Sequence, residues 1–91
     1  MLLLVTIDLA NAAIDLFDAY EAAVLPLVAA HGGTVETRMR AVDGSGETHL
    51  LSFPGGRAFD AFLRDPERER HRPLWERSGV QAVVTIVERL A

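Results

Sequence analysis

One histidine lies inside a predicted strand, where it could do chemistry in apolar surroundings. His49 precedes Leu51 and Phe53 by two and four residues, so the three side chains share one face of an extended strand. An imidazole titrates near neutral pH, and in an apolar pocket His49 could act as a general base. The alternative is a histidine that is hydrogen-bonded in the core or at an interface. His49 is therefore a candidate catalytic and ligand-binding residue.

Three other side chains could reach a small ligand. Tyr20 follows the apolar spacing of a predicted helix and could place its hydroxyl over a cavity, or it could find an ordinary partner. Trp75 could close a pocket between helices and sheet, or fill the core. Arg38 could grip a carboxylate with its planar guanidinium, or pair with Glu36 on the surface. With His49, these three residues form the candidate binding set.

The remaining histidines predict no metal site. His31 lies near the end of the predicted helix, where a cation complements the helix dipole, and His71 lies among arginines in a charged, solvated run. The chain has 3 histidines, none in a helical ligand pair, and no cysteine. No glycine-rich segment has the flanks of a phosphate loop. We expect neither a metal nor another cofactor.

Hydrophobic periodicity and turn residues define the elements that must position these side chains. In chain order we predict a strand at 2–9, a helix from Asn11 to Gly32 that is kinked but not ended at Pro26, strands at 34–42 and 47–53, a short helix around 58–63, helical segments from Asp65 to Gly79, and a strand at 80–87. This order predicts an α+β, ferredoxin-like βαββαβ fold, in which a four-stranded antiparallel sheet carries the helices on one face. Residues 1–91 form one domain.

The strands differ in how many of their faces are apolar. In the second strand, Val35, Thr37 and Met39 alternate with charged residues, which predicts an edge strand with one solvated face. The first and last strands, at 2–7 and 80–87, are apolar on both faces and need cover on both sides. The helices supply one cover, so a second copy of the chain is the expected partner, bound through the bare face of the sheet.

Composition excludes several classes of partner. The formal net charge is -4, so neither a nucleic acid nor an anionic membrane surface is expected to bind. The apolar start is ended by Asp8, well short of a membrane span. Because the chain has no cysteine, cysteine usage does not indicate an oxidising or a reducing compartment. We take a cytoplasmic location as the default expectation.

Several short motifs resemble a known superfamily. Tyr20, Pro26, the run 31–33 and the run 52–54 are similar to those of the dimeric α+β barrel superfamily, and within it to small bacterial proteins of domain-of-unknown-function family 1330. The resemblance spans nearly the whole chain and implies two sheets packed face to face across a dyad. It also implies relatives that are cofactor-independent monooxygenases, muconolactone isomerases or ligand-binding modules.

The chain departs from the family pattern at two places. Ser52 stands where the family usually has an acid, and Phe17 stands where it often has a tyrosine, whereas Arg38 is similar in position to an arginine common on the second strand. These departures argue against acid-dependent chemistry at Ser52.

Three functional hypotheses follow. The first is a homodimer that binds a small apolar or aromatic molecule between sheet and helices. The second is a cofactor-independent monooxygenase or isomerase that uses His49 with Tyr20 or Arg38. The third is a structural or regulatory module without a ligand. A deep pocket that reaches His49 favours the first two, and a solid core favours the third.

Overall fold

The structure, a computed structural model, describes every residue from Met1 to Ala91. Its elements in chain order are β1 (Leu2–Asp8), α1 (Ile14–Val24), α2 (Pro26–Ala30), β2 (Thr34–Arg40), β3 (Gly46–Ser52), α3 (Gly56–Leu63), α4 (Pro66–Arg70), α5 (Arg72–Ser78) and β4 (Gln81–Val87). The strands form one antiparallel sheet in the order β2-β3-β1-β4. The ferredoxin-like fold and the central positions of β1 and β3 are therefore confirmed. No helix is both long enough and apolar enough to cross a membrane.

Alternation in the two central strands separates two faces of the sheet. The helix face is formed by Leu3, Val5 and Ile7 of β1 and by Glu47, His49 and Leu51 of β3, which pair across the strands and lie beneath the helices. The open face carries the intervening side chains, Leu2, Leu4, Thr6, Thr48, Leu50 and Ser52. The main core forms where the helix face meets apolar residues of α1, α2 and α3 (Tyr20, Val24, Val28 and Phe62).

The first helical region differs in two respects from the prediction. Helix α1 begins at Ile14, and its N-cap is Ala13 without a side-chain hydrogen bond, so Asn11 is not the cap. Leu25 keeps right-handed helical angles (φ −57°, ψ −37°), but Pro26 starts a new short helix because it lacks a backbone donor. The chain therefore stays helical through Pro26 while its hydrogen-bond ladder is interrupted. Gly32, with φ of +76°, ends α2 as predicted.

A β-bulge changes the faces of the edge strand β2. The register shifts between Val35 and Thr37, so Val35 lies opposite Leu51 whereas Thr37 lies opposite Leu50. The predicted strict alternation is therefore wrong. After the bulge, Arg38 and Arg40 lie on the helix face, opposite His49 and Glu47. The prediction that β2 is an edge strand is confirmed.

The other edge strand, β4, is not covered by the helices on either face. Val84 pairs with Val5 and belongs to the helix face, yet its exposed fraction is 52%. Val83 belongs to the open face and is 63% exposed. Val84 therefore does not lie on the bare face of the sheet, and Val83 is the residue on that face.

Candidate functional site

A cavity lies between the helices and the helix face of the sheet. Its volume is about 150 Å³, and most of the side chains that line it are apolar. Three of the four candidate residues, Tyr20, His49 and Trp75, line this cavity. Arg38 does not. The other polar residues that line the cavity are Glu21 and Arg68. The apolar lining of the cavity comes from Leu3, Val5, Ile7, Val24, Leu25, Leu51, Phe59, Phe62, Leu63, Ala82 and Val84.

His49 is held by a carboxylate from its own strand. It is 2% exposed, and its Nε2 lies 2.5 Å from Oε2 of Glu47, which is two residues earlier on the same face of β3. The same Nε2 lies 3.8 Å from Oε2 of Glu21 on α1. His49 therefore has a hydrogen-bond partner, as the core alternative requires, and also borders a cavity, as the functional alternative requires.

Glu47 connects the histidine to the arginines of the edge strand. Its Oε2 accepts a hydrogen bond from Nε of Arg38 at 3.2 Å, and its Oε1 accepts one from Nε of Arg40 at 2.9 Å. Arg40 also donates from Nη2 to Asp18 of α1 at 2.7 Å. Burial opposes the ionisation of Glu47, but the hydrogen bonds from His49, Arg40 and Arg38 outweigh it and hold its pKa below the ordinary value.

The arginines thus act on the site through Glu47. The sequence allowed Arg38 to grip a ligand or to pair with Glu36; in the structure Arg38 pairs with Glu47 instead of Glu36 and does not line the cavity. Glu36 instead accepts a hydrogen bond from the hydroxyl of Ser52 at 2.8 Å. In its observed position Arg38 contacts Glu47, which in turn holds the candidate base.

Glu21 supplies a second buried carboxyl beside His49. Its side chain borders the cavity and is 4% exposed, yet its carboxyl has no hydrogen-bond partner in the chain. Burial, with a further contribution from the charge of Glu47, raises its pKa to about 7. The carboxyl can therefore gain or lose a proton near neutral pH, as an acid or base catalyst must.

Two aromatic residues form one wall of the cavity. The rings of Tyr20 and Trp75 are tilted against each other with centroids 5.2 Å apart, and Trp75 also contacts Phe17 at 6.2 Å. Tyr20 is 7% exposed, and no group of the chain hydrogen-bonds its hydroxyl. Burial raises the pKa of this hydroxyl, so it is a neutral donor near pH 7.

The sequence analysis missed Glu21 and Glu47. A signal for each was present, because Glu21 follows Phe17 by four residues on the apolar stripe of α1, and Glu47 shares the alternation of His49 and Leu51. A carboxylate on a face that is otherwise apolar is costly to bury, and such a position is a candidate functional site.

The other two histidines lie away from the cavity. Nε2 of His31 lies 2.7 Å from Oδ2 of Asp65, and this contact joins the end of α2 to the start of α4. The hydrogen bond from His31 lowers the pKa of Asp65, which also caps α4 by accepting from the backbone of Glu67. His71 is hydrogen-bonded through Nδ1 to the carbonyl oxygen of Glu67. Both histidines have local structural contacts.

One group of side chains has the composition of a metal site. Donor atoms of Glu21, Glu47 and His49 lie within 4.8 Å of one another, and two carboxylates with one imidazole are a donor set that transition metals accept. However, both oxygens of Glu47 already accept hydrogen bonds from the arginines and His49. An ion would compete with these bonds and with two cations, so we interpret the group as an acid–base cluster.

Several solved structures share this fold. They include SnoaB, a cofactor-independent oxygenase from Streptomyces nogalater, with a TM-score of 0.72, 18% identity and coverage of 98% of this chain and 94% of that one. An uncharacterised NIPSNAP domain protein from Burkholderia xenovorans matches with a TM-score of 0.64 at 11% identity, covering 100% of this chain and 98% of that one. An antibiotic biosynthesis monooxygenase matches with a TM-score of 0.60 at 14% identity, covering 98% of this chain and all of that one.

These matches establish the architecture of the chain. It has the ferredoxin-like α+β fold found in antibiotic biosynthesis monooxygenase and NIPSNAP-type structures. No protein-family model matches the sequence, and no curated protein matches it.

Proposed function

We propose that the protein binds a small, largely apolar or aromatic molecule in the cavity between helices and sheet. The observation that carries this proposal is that polar groups with no partner in the chain border an otherwise apolar cavity: the hydroxyl of Tyr20 and the carboxyl of Glu21. The chain satisfies neither group, and a ligand that hydrogen-bonds them would supply the missing partners. Apolar pockets with a few polar groups are the usual form of small-ligand sites.

The size of the cavity limits the ligand. An apolar cavity of about 150 Å³ admits one benzene-sized ring, and this cavity has that volume. The ring would lie beside Tyr20 and Trp75, whose faces favour aromatic neighbours. We therefore use 4-ethylbenzamide, a neutral single-ring compound, as the probe.

Two adjacent valines of β4 provide the test. Val84 lines the cavity and Val83 points to the opposite face, although both are more than half exposed. Val84→Phe should fill part of the cavity and weaken binding of 4-ethylbenzamide by about tenfold or more, equivalent to about 1.4 kcal/mol. Val83→Phe adds the same group on the open face and should leave affinity unchanged. Titration followed by the fluorescence of Trp75 and by calorimetry measures both, and absence of binding to the wild-type protein would favour a structural module without a ligand.

The acid–base cluster favours a second candidate function, a cofactor-independent monooxygenase or isomerase. Both reactions begin by removing an acidic proton from an apolar substrate. Glu21, with its pKa of about 7, borders the cavity beside His49, and Glu47 fixes the imidazole. A base near neutral pH in contact with a substrate cavity is the arrangement that proton abstraction requires. SnoaB, which shares the fold, is described as a cofactor-independent oxygenase.

Proton abstraction can be tested without knowing the substrate. The protein should accelerate deuterium exchange at the acidic C–H groups of 2-indanone in D₂O, followed by proton NMR. Glu21→Gln and His49→Gln should both reduce the enzymatic exchange, because each removes a titratable group next to the cavity. Glu36→Gln, which changes an exposed carboxylate bound only to Ser52, is the matched control. Binding without enhanced exchange would leave the protein as a ligand-binding module.

We also infer that the functional unit is a homodimer joined through the open face, as in the dimeric barrel superfamily that the sequence resembles, with family 1330 as the proposed closest group within it. The broad face of the molecule measures 34 by 33 Å, and a stable homodimer buries about 1,000 Å² on each partner. This face carries Leu2, Leu4, Leu50, Met39 and Val83 among threonines, with Met39 58% exposed. Such an uncovered apolar face is typical of an interface.

A further inference from the structure

Arg68 is the one side chain with a buried polar atom that lacks any hydrogen-bond partner. Its Nε is buried and unpaired, while its Nη1 donates to the carbonyl oxygen of Leu63 at 3.2 Å. The guanidinium carbon lies 5.5 Å from the centroid of the Phe62 ring. These two contacts hold the guanidinium in one place, yet Nη1 is the only one of its nitrogens that donates a hydrogen bond within the chain.

Arg68 borders two spaces in which a ligand could lie. Arg68 lines the apolar cavity, and together with Tyr20, Arg72 and Trp75 it also lines a small adjoining groove of about 110 Å³. Tyr20, Arg68 and Trp75 are common to both spaces. The tyrosine hydroxyl, which no group of the chain hydrogen-bonds, therefore lies in the region where the cavity meets the groove.

Two arginines and two carboxylates act on this region. Burial raises the pKa of the Tyr20 hydroxyl, and the positive charges of Arg68 and Arg72 oppose that rise, while Glu21 and Glu69 contribute to it. Glu69 also lies 3.4 Å from Arg72, which it partly neutralises. Around Glu21 the set differs, since Glu47, Arg38, Arg40 and Asp18 act on it. The cavity thus has an acid–base cluster with Glu21 and His49 in one part of its wall, and a second polar region with the Arg68 guanidinium and the Tyr20 hydroxyl in another.

We propose that Arg68 and Tyr20 bind an anionic oxygen group of the ligand, and that the ligand is an aromatic carboxylate of single-ring size. A carboxylate would accept hydrogen bonds from the guanidinium and from the tyrosine hydroxyl, and both are stronger when the acceptor is charged. Its ring would occupy the apolar cavity. The inference rests on the proposed function and specifies the chemical class that the cavity selects.

The test compares two probes of nearly the same shape, of which one carries a charge. At about pH 6, 4-ethylbenzoate is ionised and 4-ethylbenzamide is neutral, while Glu21, with its pKa of about 7, is mainly protonated and repels neither probe. Calorimetry should show that the benzoate binds the wild-type protein about tenfold more tightly than the amide. Arg68→Met keeps the apolar stem over Phe62 and removes the charge, so it should abolish this preference by weakening benzoate binding more than amide binding.

Arg70→Met is the matched control. Arg70 lies on the same helix α4, carries the same charge and pairs only with the exposed Glu67. This variant should retain the preference for the benzoate, since its charge is remote from the cavity. The inference is overturned if the wild-type protein binds both probes equally or favours the amide, if Arg68→Met weakens both probes alike, or if Arg70→Met loses the preference as fully. If neither probe binds, the proposed binding function is overturned as well, whereas binding of the amide without preference leaves that function intact.

Discussion

Glu21 on α1 and His49 on β3 bring Oε2 and Nε2 to within 3.8 Å of each other at the wall of an apolar cavity. The two side chains come from different layers of the fold, so the helix layer and the sheet must pack in one register to make this contact. Glu47 holds the same Nε2 at 2.5 Å, and the arginines of β2 hold Glu47. The geometry of the site therefore depends on packing between layers, and its protonation depends on burial.

The stability of the protein should fall as pH rises through the range in which Glu21 ionises. Its pKa is about 7 when folded, against an ordinary value of 4.5. Between these values the folded chain retains a proton that the unfolded chain has released, so the free energy of unfolding decreases with rising pH, by up to about 3 kcal/mol. This contribution is fully present below the unfolded pKa and is lost above about pH 7.

Glu21→Gln isolates this contribution. The amide cannot ionise, so urea unfolding of the variant between about pH 5 and pH 8 should lack the loss of stability that the wild-type protein shows. The quantity to compare is the difference between the two slopes, because other titrating groups contribute equally to both proteins. Parallel curves for the two proteins would show that Glu21 is ionised normally in the folded state.

Glu47→Gln should destabilise the protein by about 2 kcal/mol or more. The substitution removes the charge that His49, Arg38 and Arg40 share, and breaking a buried charge pair leaves its partners poorly satisfied. The two arginines are partly exposed, with side-chain exposed fractions of 41% and 33%, so water compensates part of the loss. Chemical unfolding at about pH 7 measures the effect.

The exposed Glu36 provides the control for this experiment. It has one hydrogen bond, from Ser52, so Glu36→Gln should change stability by no more than about 0.5 kcal/mol. Equal effects of the two substitutions would mean that the network around Glu47 contributes no more than a surface contact.

The fold could be predicted because its main signals are local. These signals are the alternation in β3, the apolar residues on both faces of β1 and the glycine at position 32, and each can be recognised from neighbouring residues. The order of the elements then restricts the topology. Element ends were less predictable. Asn11 is a residue type that commonly caps helices, yet the N-cap of α1 is Ala13, two residues later, because tertiary packing overrides a weak local preference.

Only half of the site could be predicted, because the rest depends on contacts distant in sequence. Tyr20, His49 and Trp75 were found from their apolar surroundings, and they do line one cavity. Glu47 was not found in this way, because its partners Arg38 and Arg40 lie on another strand, nine and seven residues away in the sequence. The bulge that places these arginines on the helix face leaves no clear signal in the alternation of β2.

Gly33→Ala should cost about 2 kcal/mol or more, because no space exists for a methyl group. A Cβ at this position would lie 2.6 Å from the carbonyl oxygen of Ser52 and 2.9 Å from Cγ1 of Val28. The carbonyl belongs to the end of β3 and cannot move without disturbing the sheet, so overpacking strain is expected. Gly55→Ala is the control, since that residue has an extended φ of 176° and no atom within 4 Å of the added group. Thermal unfolding should show a lowered Tm for the first variant and little change for the second.

Val83→Glu should dissociate the proposed dimer. Val83 lies on the open face and is 63% exposed in the single chain, so a carboxylate there costs little in a monomer but would be buried without a partner in the interface. Light scattering at micromolar concentration should give twice the chain mass of 9.9 kDa for the wild-type protein and a smaller mass, with altered stability, for the variant. Val42→Glu, a substitution at a fully exposed position in the turn after β2, should leave the dimer intact. A wild-type mass equal to one chain would refute the dimer, and a dimeric Val83→Glu variant would move the interface away from the open face.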